Sequence, residues 1–307
     1  MLDFEKKYWS KGVSNVAGVD EVGRGPLCGP VVSAAVVFPV DLEIPEINDS
    51  KKLSPKKRAK LYDVITKEAT SIGIGVVHED QIDQINILNA TILSMKKAVD
   101  GLDVPADVLL VDGNLKKIST INQESIIKGD SKSQSIAAAS IIAKVTRDRM
   151  MEQYDKVFPG YGFSRNKGYG TREHFDALKD LFSTPIHRQS FKPVSSYMPT
   201  FKDIKNISKL SVQIAAAKLV QGGHQILNLT YEGSDIHILS SMDNDFYGFI
   251  LNNDTEWIKK NQKTIKVRAI ASLKELLSKK DTTHSINISV ISVQLSKDKP
   301  KVIFKNI

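Results

Sequence analysis

The sequence has 307 residues, of which 41% are hydrophobic and 25% are charged, a composition typical of a globular protein of one or two domains. No stretch approaches the ~20 uninterrupted apolar residues of a transmembrane helix. The polar N-terminus lacks the apolar core of a signal peptide, and the single Cys28 cannot form an internal disulfide, so we expect a cytoplasmic location. The formal net charge of +8 favours a polyanionic partner such as nucleic acid.

Strands and helices are predicted to alternate through the first two hundred residues. Runs rich in β-branched residues predict strands at 16–22, 31–38, 71–78 and 107–113, and within 124–133. Helical spacing and capping residues predict helices at 55–67, 79–99, 133–158 and 171–181. In the second helix the apolar positions are Ile82, Ile85, Leu88, Ile92, Met95 and Val99. This alternation predicts an α/β layered domain.

The last hundred residues form a separate, smaller unit in this interpretation. Residues 201–206 are predicted to be a linker, and 207–307 to contain a helix, three strands and a closing hairpin. Residues 201–307 contain 16 Lys and Arg against 10 Asp and Glu, which gives +6. The predicted organisation is therefore a domain at 1–200, a linker at 201–206 and a second α/β domain at 207–307.

Acidic residues stand where three of the predicted strands end or turn. They are Asp20, Glu21, Asp112 and Asp130. Sites in α/β sheets gather at strand ends, and clustered carboxylates suit a hard divalent cation. Adjacent residues of a strand face opposite sides, so Asp20 and Glu21 share a site only if the strand breaks there or one supplies a backbone oxygen. The alternative is that these acids are helix caps and exposed loop residues.

Three further motifs bear on ligand binding. Gly23-Arg24-Gly25 could expose backbone N–H groups and a cation to a phosphate, or be only a tight turn with a surface arginine. Tyr169, between two glycines, could stack on a sugar or base, or simply cover the core. The basic stretch 49–60 could face a phosphate backbone or form a solvated helix face. We interpret Cys28 as a small buried apolar residue rather than a catalytic thiol.

Together these residues resemble the ribonuclease HII family, also called type 2 ribonuclease H. The resemblance spans about residues 14–198 and rests on GVDEVGRGPLCGPVV, DSKKLS, LLVDG, IIKGDSKSQSIAAASIIAKVTRD, GYGT and HRQSF, which stand in the family's order. It implies a ribonuclease H-like α/β domain, a mixed five-stranded sheet flanked by helices and followed by a helical cap. It also implies an endonuclease that binds RNA–DNA hybrids and duplexes containing ribonucleotides, and that acts as a monomer.

The resemblance assigns roles to individual residues. The family's four catalytic and metal-binding acids fall on Asp20, Glu21, Asp112 and Asp130, where they imply two Mg²⁺ or Mn²⁺ ions. The substrate-binding positions fall on Gly23, Arg24, Gly25, Ser50, Lys51, Tyr169, His187 and Arg188. The glycine–arginine–glycine loop reads the ribose 2′-OH, and the tyrosine packs on the sugar beside the cut. Ser50, Lys51, His187 and Arg188 are expected to contact the substrate or to support residues that do.

The implied reaction is cleavage on the 5′ side of a ribonucleotide, which leaves 3′-OH and 5′-phosphate ends. Asp rather than Glu at the third acidic position, and the short segment before Asp20, favour ribonuclease HII over ribonuclease HIII. A ribonuclease HIII-like hybrid nuclease and a non-catalytic nucleic-acid-binding protein remain as alternatives. Four intact acids argue against the second, because clustered negative charge repels phosphates.

The C-terminal segment faintly resembles a small bacterial family with a restriction-nuclease-like fold. The resemblance begins with a helix followed by Gly223–Asn228. At the two metal and catalytic positions this chain has Gly233–Ile236 and roughly 251–253, without the family's metal-binding glutamate and catalytic lysine. This implies a catalytically degenerate domain. Its basic charge is compatible with DNA binding, and the alternative is a stabilising appendage without a ligand.

Overall fold

The computed structural model describes residues 1–47, 50, 53–115, 117–200, 202–252, 264, 267–268, 271, 285–294 and 300–306. They fall into two compact units. The first comprises Met1–Met151, Asn166–Arg172 and Ile186–Ser196, and the second comprises Glu152–Arg165, Glu173–Pro185 and Tyr197–Ile307. Two segments of the predicted first domain thus belong to the second compact unit, while the domain boundaries at 200 and 207 stay a prediction.

A mixed five-stranded sheet forms the centre of the first unit, as predicted. Its strands are β1 (Val16–Val22), β2 (Val31–Val37), β3 (Ser71–Val77), β4 (Val108–Asp112) and β5 (Asn122–Ile126), in the order β3-β2-β1-β4-β5. The pairs β1–β2 and β2–β3 are antiparallel, and β1–β4 and β4–β5 are parallel. The carboxyl ends of β1 and β4 therefore meet at one edge.

Helices α1 (Asp3–Trp9), α2 (Pro55–Glu68), α3 (Glu79–Asp100) and α4 (Gln134–Val157) accompany this sheet, and the short α7 (Lys192–Ser195) also belongs to the first unit. The short α5 (Phe163–Asn166) and α6 (Arg172–Leu181) fall almost wholly in the second unit. The alanine-rich part of α4 packs on Val32, Ala34 and Val36 of β2. Its first turn also crosses β1 at Gly18, where an added Cβ would lie 2.0 Å from the backbone carbon of Ser135. A larger residue at that position would push the helix away from the sheet.

Helix α3 differs from the regular helix that the sequence predicts. Asn86 has φ 65° and ψ 166°, which kinks the helix. The Asn86 side-chain oxygen accepts hydrogen bonds from the backbone N–H groups of Leu88 and Asn89, so it caps the second part of the helix. The kink changes the phase of the apolar stripe, and Leu88, predicted to face the core, is 48% exposed.

The second unit contains a second five-stranded sheet and the helix α8 (Ile207–Gln221), which confirms the predicted second α/β domain. The strands are β6 (Gln225–Leu229), β7 (Ile238–Met242), β8 (Asp245–Leu251), β9 (Ile286–Gln294) and β10 (Lys301–Asn306), in the order β10-β9-β8-β7-β6. Only β8 and β9 pair in parallel among the described strands of this sheet.

The two degenerate positions of the C-terminal resemblance lie at the ends of strands. Gly233–Ile236 falls between β6 and β7, and Leu251 ends β8, whereas residue 253 lies outside the described residues. Within the described part of the chain, none of the helices has both the length and the apolar character needed to cross a membrane.

Candidate active site

The carboxylates of Asp20 and Asp112 converge at one edge of the first sheet. Strands β1 and β4 are parallel, with Val19 beside Val111, so the next residue of each strand is one of these acids. Both therefore point to the same face, which is the face covered by α4, because Asp20 pairs with Ala34 of that core. Asp20 is only 4% exposed. The predicted meeting of acids from different strands is thus present for this pair.

Asp130 reaches this edge through a tight turn between β5 and α4. Lys128 adopts a left-handed backbone conformation with φ 57°, and a 3₁₀ turn follows at Gly129–Ser131. The Gly129 N–H donates to Asp112 Oδ1 at 2.6 Å, which ties the turn to the end of β4. Asp130 itself is buried. Gly129, the residue before Asp130, is therefore hydrogen-bonded directly to Asp112 of the acidic cluster.

Strand β1 does not break at Glu21, so the first of the two conditions under which Asp20 and Glu21 could share a site is not met. Strand β1 continues through Glu21, which pairs with Ser33, and it ends at Val22. The backbone turns only at Gly23, where φ is 99°. The Glu21 carboxylate accepts a hydrogen bond from Arg24 at 3.4 Å. Because β4 already ends at Asp112, Glu21 lies at the rim of the sheet, although by alternation it faces the side opposite to Asp20.

The charges of three of these carboxylates, those of Asp20, Glu21 and Asp112, act on one another. Burial raises the pKa of Asp20 well above its usual value, and the charges of Glu21 and Asp112 raise it further. Burial also raises the pKa of Glu21, and Asp112 adds to the shift while Arg24 opposes it. Several oxygen ligands whose charges repel one another fit a hard divalent cation, which would remove the repulsion.

The loop that follows β1 is held from inside by Arg188. This fully buried side chain donates to the carbonyl oxygens of Gly23 at 2.5 Å, Arg24 at 2.9 Å and Pro26 at 2.7 Å, and to Gly29 through two nitrogens. Burial and, secondarily, the nearby Arg147 lower the pKa of Arg188 to about 10. Arg188 was expected either to contact the substrate or to support residues that do; its whole guanidinium holds the loop backbone, which places it in the supporting role.

A second buried arginine, Arg147 on α4, was not among the predicted site residues. It donates to the carbonyl oxygens of Pro30 at 2.9 Å, Cys28 at 3.1 Å and Lys167 at 2.8 Å. The sequence did contain a signal for it: Arg147 lies on the same helical stripe as Ala143 and Met151, which are both buried. A cation on an apolar stripe indicates an internal partner.

Tyr169 stands beside the glycine–arginine–glycine loop. Its ring lies 3.5 Å from where a Cβ would be on Gly25, and the residue is 42% exposed. The preceding backbone is fixed, because the Leu27 N–H donates to the carbonyl oxygen of Gly168 at 2.8 Å. The structure thus brings Tyr169 and Gly25 together at the surface.

Of the remaining residues predicted to bind the substrate, two are buried and one lies outside the described residues. Ser50 is buried, with its hydroxyl 2.9 Å from that of Ser140. His187 is also buried and forms an isolated β-bridge with Cys28. Burial raises the pKa of the Cys28 thiol to about 12, which fits its interpretation as an apolar residue. Lys51 lies outside the described residues.

Two cations of the basic stretch 49–60 have partners within the protein, one of them in an exposed ion pair. Arg58 donates to the carbonyl oxygens of Ser50 at 2.8 Å and Leu53 at 2.6 Å. Lys57 forms an ion pair with Glu46 at 3.2 Å. Arg58 is thereby used to fix the loop before α2, and the exposed Lys57 is partly neutralised by Glu46, which reduces the charge that the stretch can offer to a phosphate backbone.

Comparison with known proteins adds a family assignment to this geometry. The family model described as ribonuclease HII matches residues 17–194. The ribonuclease HII of Lactobacillus acidophilus is 56% identical over 194 residues, which cover 63% of this chain and 77% of the relative. That of Syntrophus aciditrophicus is 55% identical over 196 residues, which cover 64% of this chain and 92% of the relative.

Two solved structures are similar to the chain. The ribonuclease H2 of Pyrococcus horikoshii OT3 has 25% sequence identity and a TM-score of 0.53, covering 62% of this chain and 100% of that chain. The ribonuclease HII in the PCNA:RNase HII complex from Archaeoglobus fulgidus has 26% identity and a TM-score of 0.51, covering 61% of this chain and 99% of that chain. Both carry the same fold over most of their length.

Proposed function

Because the chain belongs to the ribonuclease HII family and is a ribonuclease H, we propose that it cuts DNA duplexes on the 5′ side of an embedded ribonucleotide, as well as the RNA strand of RNA–DNA hybrids. The observation that carries the proposal is the position of the buried acidic edge directly beside Gly23–Gly25 and Tyr169. Carboxylates next to a loop that permits close backbone approach suit metal-assisted hydrolysis of a phosphodiester.

The four acids would hold the divalent ions on which this family depends. We assign Asp20, Glu21, Asp112 and Asp130 as the Mg²⁺ or Mn²⁺ ligands. The charges of Glu21 and Asp112 raise the pKa of Asp20, an effect that a divalent cation would offset, and Asp130 belongs to the turn that is hydrogen-bonded to Asp112. When bound, two such ions supply an activated water and stabilise the leaving 3′ oxygen. The products would carry 3′-OH and 5′-phosphate ends, and no side chain serves as a nucleophile.

The loop and Tyr169 would select the ribonucleotide. Arg188 and Arg147 hold the loop's carbonyl oxygens toward the interior, and a glycine at position 25 leaves no side chain between the backbone and a ribose. A 2′-OH, which can donate and accept, is the group that such a backbone can distinguish from DNA. The exposed ring of Tyr169 beside Gly25 would pack on the neighbouring sugar.

The test uses a DNA duplex with one embedded ribonucleotide, assayed in Mg²⁺ and in Mn²⁺. We expect cleavage at that single position, and we expect Asp20→Asn and Asp130→Asn to lose at least about 100-fold in kcat because each removes a charged metal ligand. Asp100→Asn is the matched control, because that acid is exposed and pairs only with Lys96 among the described contacts. Near-normal cleavage by either site variant would contradict the assignment.

The same assay separates the two alternatives. A ribonuclease HIII-like enzyme would cut a long RNA–DNA hybrid but not the single ribonucleotide. A non-catalytic binding protein would retain the duplex without cutting it, and its binding would not depend on Asp20 or Asp130. Cleavage that persists in excess chelator would contradict the metal-dependent mechanism itself.

A further inference from the structure

Helix α1 brings a buried carboxylate to the start of α4, the helix that follows the turn with Asp130. This carboxylate belongs to Glu5, which is fully buried although glutamate is normally exposed. Its Oε1 atom accepts hydrogen bonds from the hydroxyl of Ser133 at 2.6 Å and from the N–H of Ser135 at 2.9 Å. The first helix of the chain is thereby bonded to residues about 130 positions later in the sequence.

These bonds complete the cap of α4, because the first N–H groups of a helix have no partner inside it. The N–H of Gln134 donates to the carbonyl oxygen of Met1 at 2.8 Å, and the N–H of Ser135 donates to Glu5. A carboxylate also suits this position electrostatically, since the N-terminus of a helix carries a partial positive charge. The segment before β1 therefore satisfies two backbone donors at the start of α4.

The residue Ser133 connects this cap to the turn that carries Asp130. The N–H of Ser133 donates to the carbonyl oxygen of Gly129 at 2.9 Å. The N–H of the same Gly129 donates to Asp112 Oδ1 at 2.6 Å. Asp130 therefore lies between two fixed residues. Gly129 is bound to another proposed metal ligand, and Ser133 is bound to Glu5.

The carboxylate of Glu5 is more than an ordinary helix cap requires. Ser133 already caps α4, because its hydroxyl oxygen accepts from the N–H of Ile136 at 3.2 Å. The second carboxylate oxygen, Glu5 Oε2, is buried and has no hydrogen-bond partner within the described part of the chain, which destabilises the fold. The contribution of Glu5 therefore comes from Oε1. Its bond to Ser133 takes the single hydroxyl proton and stops the capping hydroxyl from rotating.

We infer that Glu5 is a positioning residue of the metal site, which holds the turn with Asp130 in place through Ser133. The inference rests on the proposed function, because it needs Asp130 to be a metal ligand. Groups that orient a metal ligand without binding the metal still set its affinity, and removing one typically weakens metal binding 10–100-fold. Glu5 lies before residue 17, where the match to the family model begins.

Two control variants separate this role from general effects. Asp203 has the same bonding pattern as Glu5, because one of its oxygens accepts from the N–H and the hydroxyl of Thr200, each at 2.7 Å. Asp203→Ala makes the same chemical change in the second unit, whereas the four acids belong to the first. Leu102→Ala controls for lost stability within the first unit. Leu102 belongs to the buried cluster on the α3 side of the sheet, which includes Ala17 near the start of β1.

The experiment measures Mn²⁺ binding by calorimetric titration without nucleic acid, and kcat and KM on the single-ribonucleotide duplex, at a temperature where each variant is folded. We expect Glu5→Ala to weaken Mn²⁺ binding about 10-fold and to lower kcat with little change in KM. Ser133→Ala should shift both quantities in the same direction by less. Glu5→Gln should recover most of the loss, because its amide oxygen can accept the same two hydrogen bonds. Asp203→Ala and Leu102→Ala should leave Mn²⁺ binding unchanged.

Three outcomes would overturn the inference. The first is wild-type Mn²⁺ affinity in Glu5→Ala, or in Ser133→Ala if Glu5→Ala does not fold. The second is an equal loss in Leu102→Ala, since lost stability would then explain both. The third is an equal loss in Glu5→Gln and Glu5→Ala, which would mean that the charge of Glu5 matters instead of its hydrogen bonds.

The variant Asp130→Asn distinguishes failure of this inference from failure of the proposed function. If Asp130→Asn loses Mn²⁺ binding and Glu5→Ala does not, only the role of Glu5 is wrong. If Asp130→Asn binds Mn²⁺ like the wild type, the assignment of the metal ligands is wrong and the inference about Glu5 falls with it.

Discussion

Gly23 and Gly25 lie two residues apart, yet the structure requires glycine for different reasons at the two positions. Gly23 has φ 99°, and an added Cβ would lie 2.4 Å from Arg147 Nε and 2.7 Å from the carbonyl oxygen of Pro30. At Gly25 an added Cβ would meet only the Tyr169 ring, at an ordinary 3.5 Å. The first glycine is therefore needed by the fold, and we attribute the second to the substrate.

This difference predicts opposite behaviour of two alanine variants. Gly25→Ala should keep or slightly raise the free energy of unfolding, as compatible glycine-to-alanine changes do. It should lower kcat/KM on the single-ribonucleotide duplex at least about 10-fold, because the methyl group separates the loop backbone from the ribose. Gly23→Ala should instead lower the free energy of unfolding by more than about 1 kcal/mol.

The measurements are thermal unfolding and steady-state kinetics, with Gly222→Ala as the control. Gly222 has ordinary neighbours at 3.4 Å or more and belongs to the second unit, so its substitution reports the general effect of the change. Unaltered kcat/KM in Gly25→Ala would remove position 25 from the proposed recognition of the ribose.

At the scale of structural elements, the loop after β1 depends on Arg188 more than on its own sequence. Lysine cannot reproduce the planar guanidinium that reaches four carbonyl oxygens. We expect Arg188→Lys to lower the free energy of unfolding by about 3 kcal/mol or more, because buried carbonyl groups lose charged donors. Arg24→Lys is the matched control in the same loop. Arg24 is exposed and makes one ion pair with Glu21, so its replacement should cost less than about 1 kcal/mol.

Urea denaturation of both variants checks this prediction. Equal losses of stability in the two variants would show that the buried network does not support the loop. A second readout is KM on the single-ribonucleotide duplex, which Arg188→Lys should raise at temperatures where the variant is still folded. If Arg188 supports the loop, the weaker hold of lysine should displace Gly25 from the position in which it binds the ribose, and KM should rise.

The elements that carry these residues were predictable to different degrees. The ends of β1 and β4 could be predicted, because apolar runs ending in acids indicate parallel strands with ligands at one edge. The roles of Arg147 and Arg188 could not, because their partners are carbonyl oxygens far away in the sequence. The kink at Asn86 could not be predicted either, because the apolar residues before and after it keep helical spacing in the sequence.

At the scale of the whole molecule, the sequence predicted two α/β domains. It did not predict that residues 152–165 and 173–185 would belong to the same compact unit as the C-terminal sheet. Composition shifts mark linkers, whereas side-chain contacts decide which segments pack together. Gln213 of α8 donates to the carbonyl oxygen of Val157 at 2.8 Å. Lys156 donates to the carbonyl oxygen of Ile226, and Gln153 accepts from the Ile226 N–H at 2.9 Å. None of these partners can be identified from local patterns.

These contacts cap the backbone of β6, an edge strand of the second sheet. The Ile226 side chain is buried, so its N–H cannot readily turn to water when Gln153 is replaced. We expect Gln153→Ala to lower the stability of the second unit by about 1–3 kcal/mol and to speed limited proteolysis within 197–307. Lys218→Ala is the control, because its bond to Gln221 is exposed on the same unit. If both variants are cleaved at the wild-type rate, the hydrogen bonds to Ile226 do not hold β6 to the last turn of α4.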